Sequence, residues 1–197
     1  MKIVGLAAIA VLGVATLAGC SGSTAEETSA APNPAPTVQA EGNTSTPTPT
    51  VGNLDDALCA AAQESIEVSE TLVGRTDDLT AMLSDPSFLT AEDATELNAW
   101  GDDMLELSNQ TLEFYTIGVQ ETQGEDINAD FAALETFVTK YTITLSQDAA
   151  DAASPAAFVE KIQVTFTDPD VQDAVSAAPA ASARVAEYLA TRCGITG

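Results

Sequence analysis

All ten aromatic residues of this 197-residue chain fall between Phe88 and Tyr188, and over residues 21–52 the only large apolar side chains are Val38 and Val51. A packed core needs large apolar side chains, so whatever folds must fold from residues 53–197. That length buries about two-thirds of its unfolded surface, enough for one domain.

Within this segment the apolar spacing is helical, and no stretch longer than a few residues alternates with period two. Leu54, Leu58, Ile66, Val73, Leu79 and Leu83 mark a first helix, with Asn53 as its cap, Asp55 and Asp56 in its first turn and Gly74 as a potential kink. Ser84-Asp85-Pro86-Ser87 stops it, because proline disfavours a helical residue before it. Thr90 is expected to cap a second helix with Glu92 and Asp93 in its first turn. That helix carries Leu97, Trp100, Met104, Leu107, Leu112, Tyr115 and Val119 on one arc, and Glu92, Glu96, Asp103, Glu106 and Glu113 on another. After a turn at Gln123-Gly124-Glu125, a third helix starts near Asn128 and aligns Phe131, Leu134, Val138, Tyr141 and Leu145. Ser154-Pro155 and Asp168-Pro169 are cap-plus-proline starts. They break the C-terminal stretch into a piece with Phe158, Ile162 and Phe166, a short one with Val171 and Val175, and a last one after Pro179 with Val185, Tyr188 and Leu189. The expectation is an all-α, up-down-up-down helical bundle with a broken fourth helix.

The N-terminus reads as an address. Met1-Lys2 precedes an apolar run from Ile3 to Leu17, shorter than the roughly 20 residues of a membrane-spanning helix but suited to a signal peptide. The run ends in Leu17-Ala18-Gly19-Cys20, which resembles the lipobox of bacterial lipoproteins. That resemblance implies cleavage before Cys20, a diacylglyceryl group on its sulfur and often acylation of the new N-terminus. Residues 1–19 are then a signal peptide, and the protein is lipid-anchored to the cell membrane on its extracytoplasmic side, since two or three acyl chains give lasting attachment. A signal-peptidase site with an incidental cysteine, and an uncleaved anchor, are the alternatives.

Residues 20–52 follow as an acylated cysteine and a disordered tether. Half of residues 21–52, 16 of 32, are Pro, Ser or Thr, with no aromatic, Lys or Arg. Such a composition cannot offset its ordering entropy. Its reach is about 30 Å as a coil and about 100 Å in polyproline form. Thr44 to Thr50 is a candidate sugar acceptor.

With Cys20 acylated, Cys59 and Cys193 remain in an exported, disulfide-permissive setting. One sits near the start of the first helix and the other at the end of the last, and in an up-down-up-down bundle those points meet. A Cys59–Cys193 disulfide is therefore expected; a thiol redox or metal site would ordinarily use close C-x-x-C spacing. The ending Tyr188-Leu-Ala-Thr-Arg-Cys193-Gly194 resembles the C-termini of small helical envelope lipoproteins of actinobacteria. It implies lineage rather than an activity.

The chain has 6 Lys plus Arg, 30 Asp plus Glu and no histidine, for a net charge of −24. Without the three tether acids and Lys2, residues 53–197 carry 27 acids against 5 bases. That balance argues against nucleic acid, whose binding needs Lys and Arg. The missing histidine removes Ser-His-Asp and Cys-His catalysis and every His-ligated metal. Asp126, Asn128 and Asp130 have the 1-3-5 spacing of a calcium loop, but Phe131 and Phe137 stand where its glycine and bidentate acid belong, so a turn with Asn128 as cap is the simpler reading. Asp102-Asp103-Glu106 and Glu92-Asp93-Glu96 group carboxylates within a turn and suit a divalent cation, a basic protein or plain solvation. No cofactor is implied, and no spacing selects a carboxylate pair for a hydrolase. Trp100, Phe114, Tyr115 and Tyr141 either line a ligand cavity or are core. The expected function is a non-catalytic, lipid-anchored envelope protein with an acidic binding or scaffolding domain. A carrier of an apolar ligand within the bundle is the alternative, and a carboxylate-based hydrolase the third.

Overall fold

The computed structural model describes residues 56–195; the expected signal peptide, Cys20, the expected tether, Asn53, Leu54 and Asp55 lie outside the described residues. The first helix, α1 (Ala57–Ser84), is capped by Asp56, whose Oδ1 accepts the N–H groups of Leu58 at 3.0 Å and Cys59 at 3.3 Å. Asp56, expected inside the first turn, is thus the cap itself. Gly74 does not interrupt the helix. Asp85-Pro86 ends α1 as expected, but it also starts a single turn, α2 (Pro86–Leu89), because Asp85 Oδ1 accepts Ser87 N–H at 2.8 Å and Pro86 fits the first helical position. Thr90 belongs to the end of that turn, its hydroxyl donating to the Pro86 carbonyl at 3.1 Å. It therefore does not open α3 (Thr95–Glu121). Ala94 is the N-cap there and has no side-chain cap; Asp93, one residue earlier, accepts the Thr95 N–H at 2.9 Å and its hydroxyl at 2.6 Å.

The third rod is continuous: α4 (Asn128–Phe137), a π-helical turn (Val138–Ile143) and α5 (Thr144–Ala150). The wider turn lets sequence neighbours Tyr141 and Thr142 both bury. Asn98 closes its far end, donating through Nδ2 to the carbonyls of Ala149 (2.8 Å) and Ala152 (3.1 Å). The fourth position is broken, as expected, at residues 166–168. Ser154 caps α6 (Pro155–Thr165) and Asp168 caps α7 (Pro169–Cys193). The expected second break at Pro179 is absent: α7 runs through it for 25 residues. Pro179 lies on the exposed face, so its ring and the carbonyl it leaves without a donor do not disturb the core, and alanines flank it.

The described residues hold helices and turns and no strand. α3 is the shared wall of the bundle, packed on α1 along one side and on α4 through α5 along the other; α7 lies against α4, and α6 against α5. At one end the core comprises Leu72, Leu79, Leu97, Trp100, Met104, Tyr141, Leu145, Phe158 and Ile162, among others. At the other it comprises Leu58, Ala62, Phe114, Phe131, Leu134, Ala181, Val185 and Leu189. The deepest line of α3 departs from the expected arc. Gly101, Ser108, Phe114 and Gly118 are buried, whereas Leu107, Leu112, Tyr115 and Val119 are half-buried. Close approach explains this: a Cβ at 101 would meet the Ala150 backbone and stand 2.8 Å from the Ser146 carbonyl, and one at 118 would fall into the Phe131 ring. Cys59 and Cys193 are bonded, with Cα atoms 5.3 Å apart, and join the first turn of α1 to the last turn of α7.

Candidate functional site

Around that disulfide the ending Tyr188…Arg192-Cys193-Gly194 acquires a physical account. Arg192 follows Tyr188 by one helical turn and donates to its hydroxyl at 2.6 Å. Its Nε and Nη2 also donate to Asp56 Oδ2 at 3.0 and 2.8 Å. The Tyr188 hydroxyl donates onward to Glu125 Oε2 at 2.9 Å, bringing in the α3–α4 turn. Gly194 ends α7 in the left-handed region at φ 68°, which its lack of a Cβ permits. Burial pushes the Asp56 carboxyl up, but the Arg192 guanidinium and the N–H groups of Cys59 and Leu58 outweigh it and hold it below the usual range. Arg192 is raised correspondingly, chiefly by its bonds to Tyr188 and Asp56. All these contacts hold the two chain ends of the domain together.

The calcium-loop candidates do not converge. Asn128 turns inward and donates to the Val119 carbonyl at 2.7 Å and the Thr122 hydroxyl at 3.2 Å, fastening the α3–α4 turn. Asp130 is buried against α7 and takes both Arg184 Nε (2.8 Å) and Nη2, a fork that holds its carboxyl below the ordinary range. Asp126 stays exposed. Among the described residues no group of three or more acidic or cysteine side chains is placed to hold a metal ion.

What the sequence reading missed is the use of the bases. Each of the domain's five bases bridges to an aspartate on another element. Arg75 reaches Asp103 at 2.6 Å, Lys140 reaches Asp170 at 3.6 Å, and Lys161 reaches Asp148 at 2.8 Å; Arg184 and Arg192 take Asp130 and Asp56. Asp103 and Asp93, drawn from the two carboxylate runs, thus bridge to Arg75 and hold Thr95 at the start of α3. The candidate cavity aromatics are packed. Trp100 donates through Nε1 to the Arg75 carbonyl at 2.7 Å, Tyr141 stacks on Phe137, and Phe114 sits against Tyr115 and Phe131. Burial pushes the Tyr115 phenol up to about 12 and Tyr141 also upward, so neither ionises near neutral pH.

Among the described residues, concave surface is found on the outside along the seam of α4 and α7. An open groove of about 630 Å³ runs past Asp126, Ile127, Ala129, Arg184, Glu187 and Tyr188. A second, of about 330 Å³, continues past Ala133, Lys140, Asp170, Asp173, Ala174 and Ala177. The fold and these surfaces define an acidic, disulfide-closed helical bundle. Comparison with protein-family models, with curated proteins and with solved structures returned no match.

Proposed function

We propose that this chain is a non-catalytic protein of the cell envelope, lipid-anchored through Cys20, whose acidic helical domain binds or scaffolds a partner outside the membrane. The observation that carries the binding role is how the bundle spends its side chains. All five bases are committed to inter-element bridges and the aromatics to the core, which leaves the remaining acids facing outward over an otherwise completed structure. The anchor is supported by Leu17-Ala18-Gly19-Cys20 and by the composition of the residues that follow it. Among the described residues no helix is long and apolar enough to cross a membrane.

Membrane fractionation of cells expressing the full chain tests this. The protein is expected with the membrane and extracted by detergent, with an N-terminal peptide that begins at a diacylglyceryl-modified Cys20; Cys20→Ala moves it to the soluble exported fraction. An unmodified Cys20 overturns the anchor. Turnover of an envelope substrate that one carboxylate substitution abolishes overturns the non-catalytic assignment.

A further inference from the structure

The geometry points to the α4–α7 seam as a docking groove for one class of partner, a basic amphipathic helix, and this rests on the binding role proposed above. Two open grooves lie in line along this seam; Ala133, Ala174 and Ala177 supply the apolar surface of one, with Thr136 beside them, and Ile127, Ala129 and the Tyr188 ring that of the other, with Thr191 beside them. The charges along the walls fall into two sets. Lys140–Asp170 and Arg184–Asp130 are internal pairs, close to neutral as units. Asp126, Asp173 and Glu187 are exposed and form no ion pair among the described residues. The seam therefore presents an apolar floor with only negative charge left uncompensated.

The spacing sets the length of the occupant. Asp173 and Glu187 are fourteen residues apart on α7, close to four turns, so they project on the same side about 21 Å apart. A helix of about 20 residues laid in the seam meets both acids if it carries Lys or Arg at a matching interval. Its small apolar face then rests on the alanines, the helix-in-groove mode of recognition. The chain's own residues 21–52 are a poor occupant, since they carry three glutamates and no base. A second copy brings the same uncompensated acids to the contact and is repelled.

The test is fluorescence anisotropy on the full-length protein in detergent. The probe is a labelled helical peptide of about 21 residues, with alanine on one face and two lysines about fourteen positions apart. A counterpart with glutamate in place of lysine is the comparison. Saturable one-to-one binding of the lysine peptide is expected, with the glutamate peptide at least about tenfold weaker. Asp173→Asn with Glu187→Gln should weaken the lysine peptide about tenfold. Glu106→Gln with Glu113→Gln, which removes the same charge from α3, should change it less than about twofold. Equal effects of the two double variants mean diffuse attraction and overturn the proposal. So do equal binding of both peptides, self-association in sedimentation that displaces the peptide, or competition by a peptide of residues 31–52. A membrane-bound protein that fails this titration loses the groove and keeps the anchor. One that passes it from the soluble fraction loses the anchor and keeps the groove.

Discussion

Replacing Gly101 by alanine separates helix propensity from helix contact, because the two effects oppose each other there. In the interior of α3, alanine gains about 1 kcal/mol over glycine from backbone entropy alone. At position 101 the new Cβ meets the Ala150 backbone and lies 2.8 Å from the Ser146 carbonyl oxygen. A side chain in the way could change rotamer, but backbone can yield only if α5 moves away from α3. The cost then falls at the upper end of the overpacking range, about 3 kcal/mol, and the net loss is about 2 kcal/mol. For a domain of this size that lowers Tm by about 7 °C. Gly74 supplies the control. It is also inside a helix, but nothing lies within 4 Å of a Cβ built there, so Gly74→Ala should raise stability by about 0.5–1 kcal/mol. Thermal and urea unfolding followed by circular dichroism, at one salt concentration and with m unchanged, read both. A Gly101→Ala protein as stable as the parent refutes the close approach of α3 to α5. A Gly74→Ala protein that loses stability refutes the open exterior of α1.

Four further outcomes are expected. Removing the disulfide with Cys59→Ala and Cys193→Ala frees a loop of sequence separation 134, a loss of up to about 5 kcal/mol in the chain-entropy account; an unchanged urea midpoint contradicts it. Arg192→Met should cost about 2 kcal/mol, because its bonds to Asp56 are partly buried, whereas Arg75→Met, on a bridge at 40% and 51% side-chain exposure, should cost less than about 1 kcal/mol. The carboxyls of Asp56 and Asp130 are lower in the folded protein than in the unfolded chain, so the unfolded chain binds more protons across that interval. Their contribution is complete above about pH 4 and is lost as pH falls further; Asp130→Asn should flatten the acid limb of the stability profile, and an unchanged limb counts against the Arg184 fork. Pro179→Ala should stabilise the protein by about 2 kcal/mol, the helix gain less the entropy proline removes from the unfolded chain; a destabilised variant means that the ring contributes packing.

Fold class, the order of the long helices and the Cys59–Cys193 pairing are legible in the sequence, because apolar periodicity and cap-plus-proline signatures are local and the two cysteines, at opposite ends of the domain's chain, fall at the same end of an up-down-up-down bundle. Three things are not. Pro179 reads as a breaker because a sequence does not say which face of a helix a proline occupies, and an exposed proline between alanines is tolerated. The buried line of α3 is mis-set because hydropathy rewards Leu112 and Val119, whereas close helix contact rewards Gly101 and Gly118. The bridges are hidden for a combinatorial reason: with 27 acids for 5 bases in residues 53–197, composition gives every base a partner without naming it. The seam is less visible still, since much of its apolar surface is alanine and alanine carries no signature.

The bond between Cys59 and Cys193 also fixes how the molecule answers to tension. A pull transmitted through the N-terminal side of Asp56 reaches Cys59 within α1's first turn and passes by the disulfide to Cys193, bypassing everything between. Stretched between its two ends with the bond intact, the domain has only the few residues outside that loop to lengthen. With the bond reduced, the separation of 134 residues becomes about 450 Å of extensible chain. A single proteolytic cut inside the loop, likewise, releases no fragment. Held by a tether, such a domain is nearly inextensible, and the first thing a reductant changes is its length.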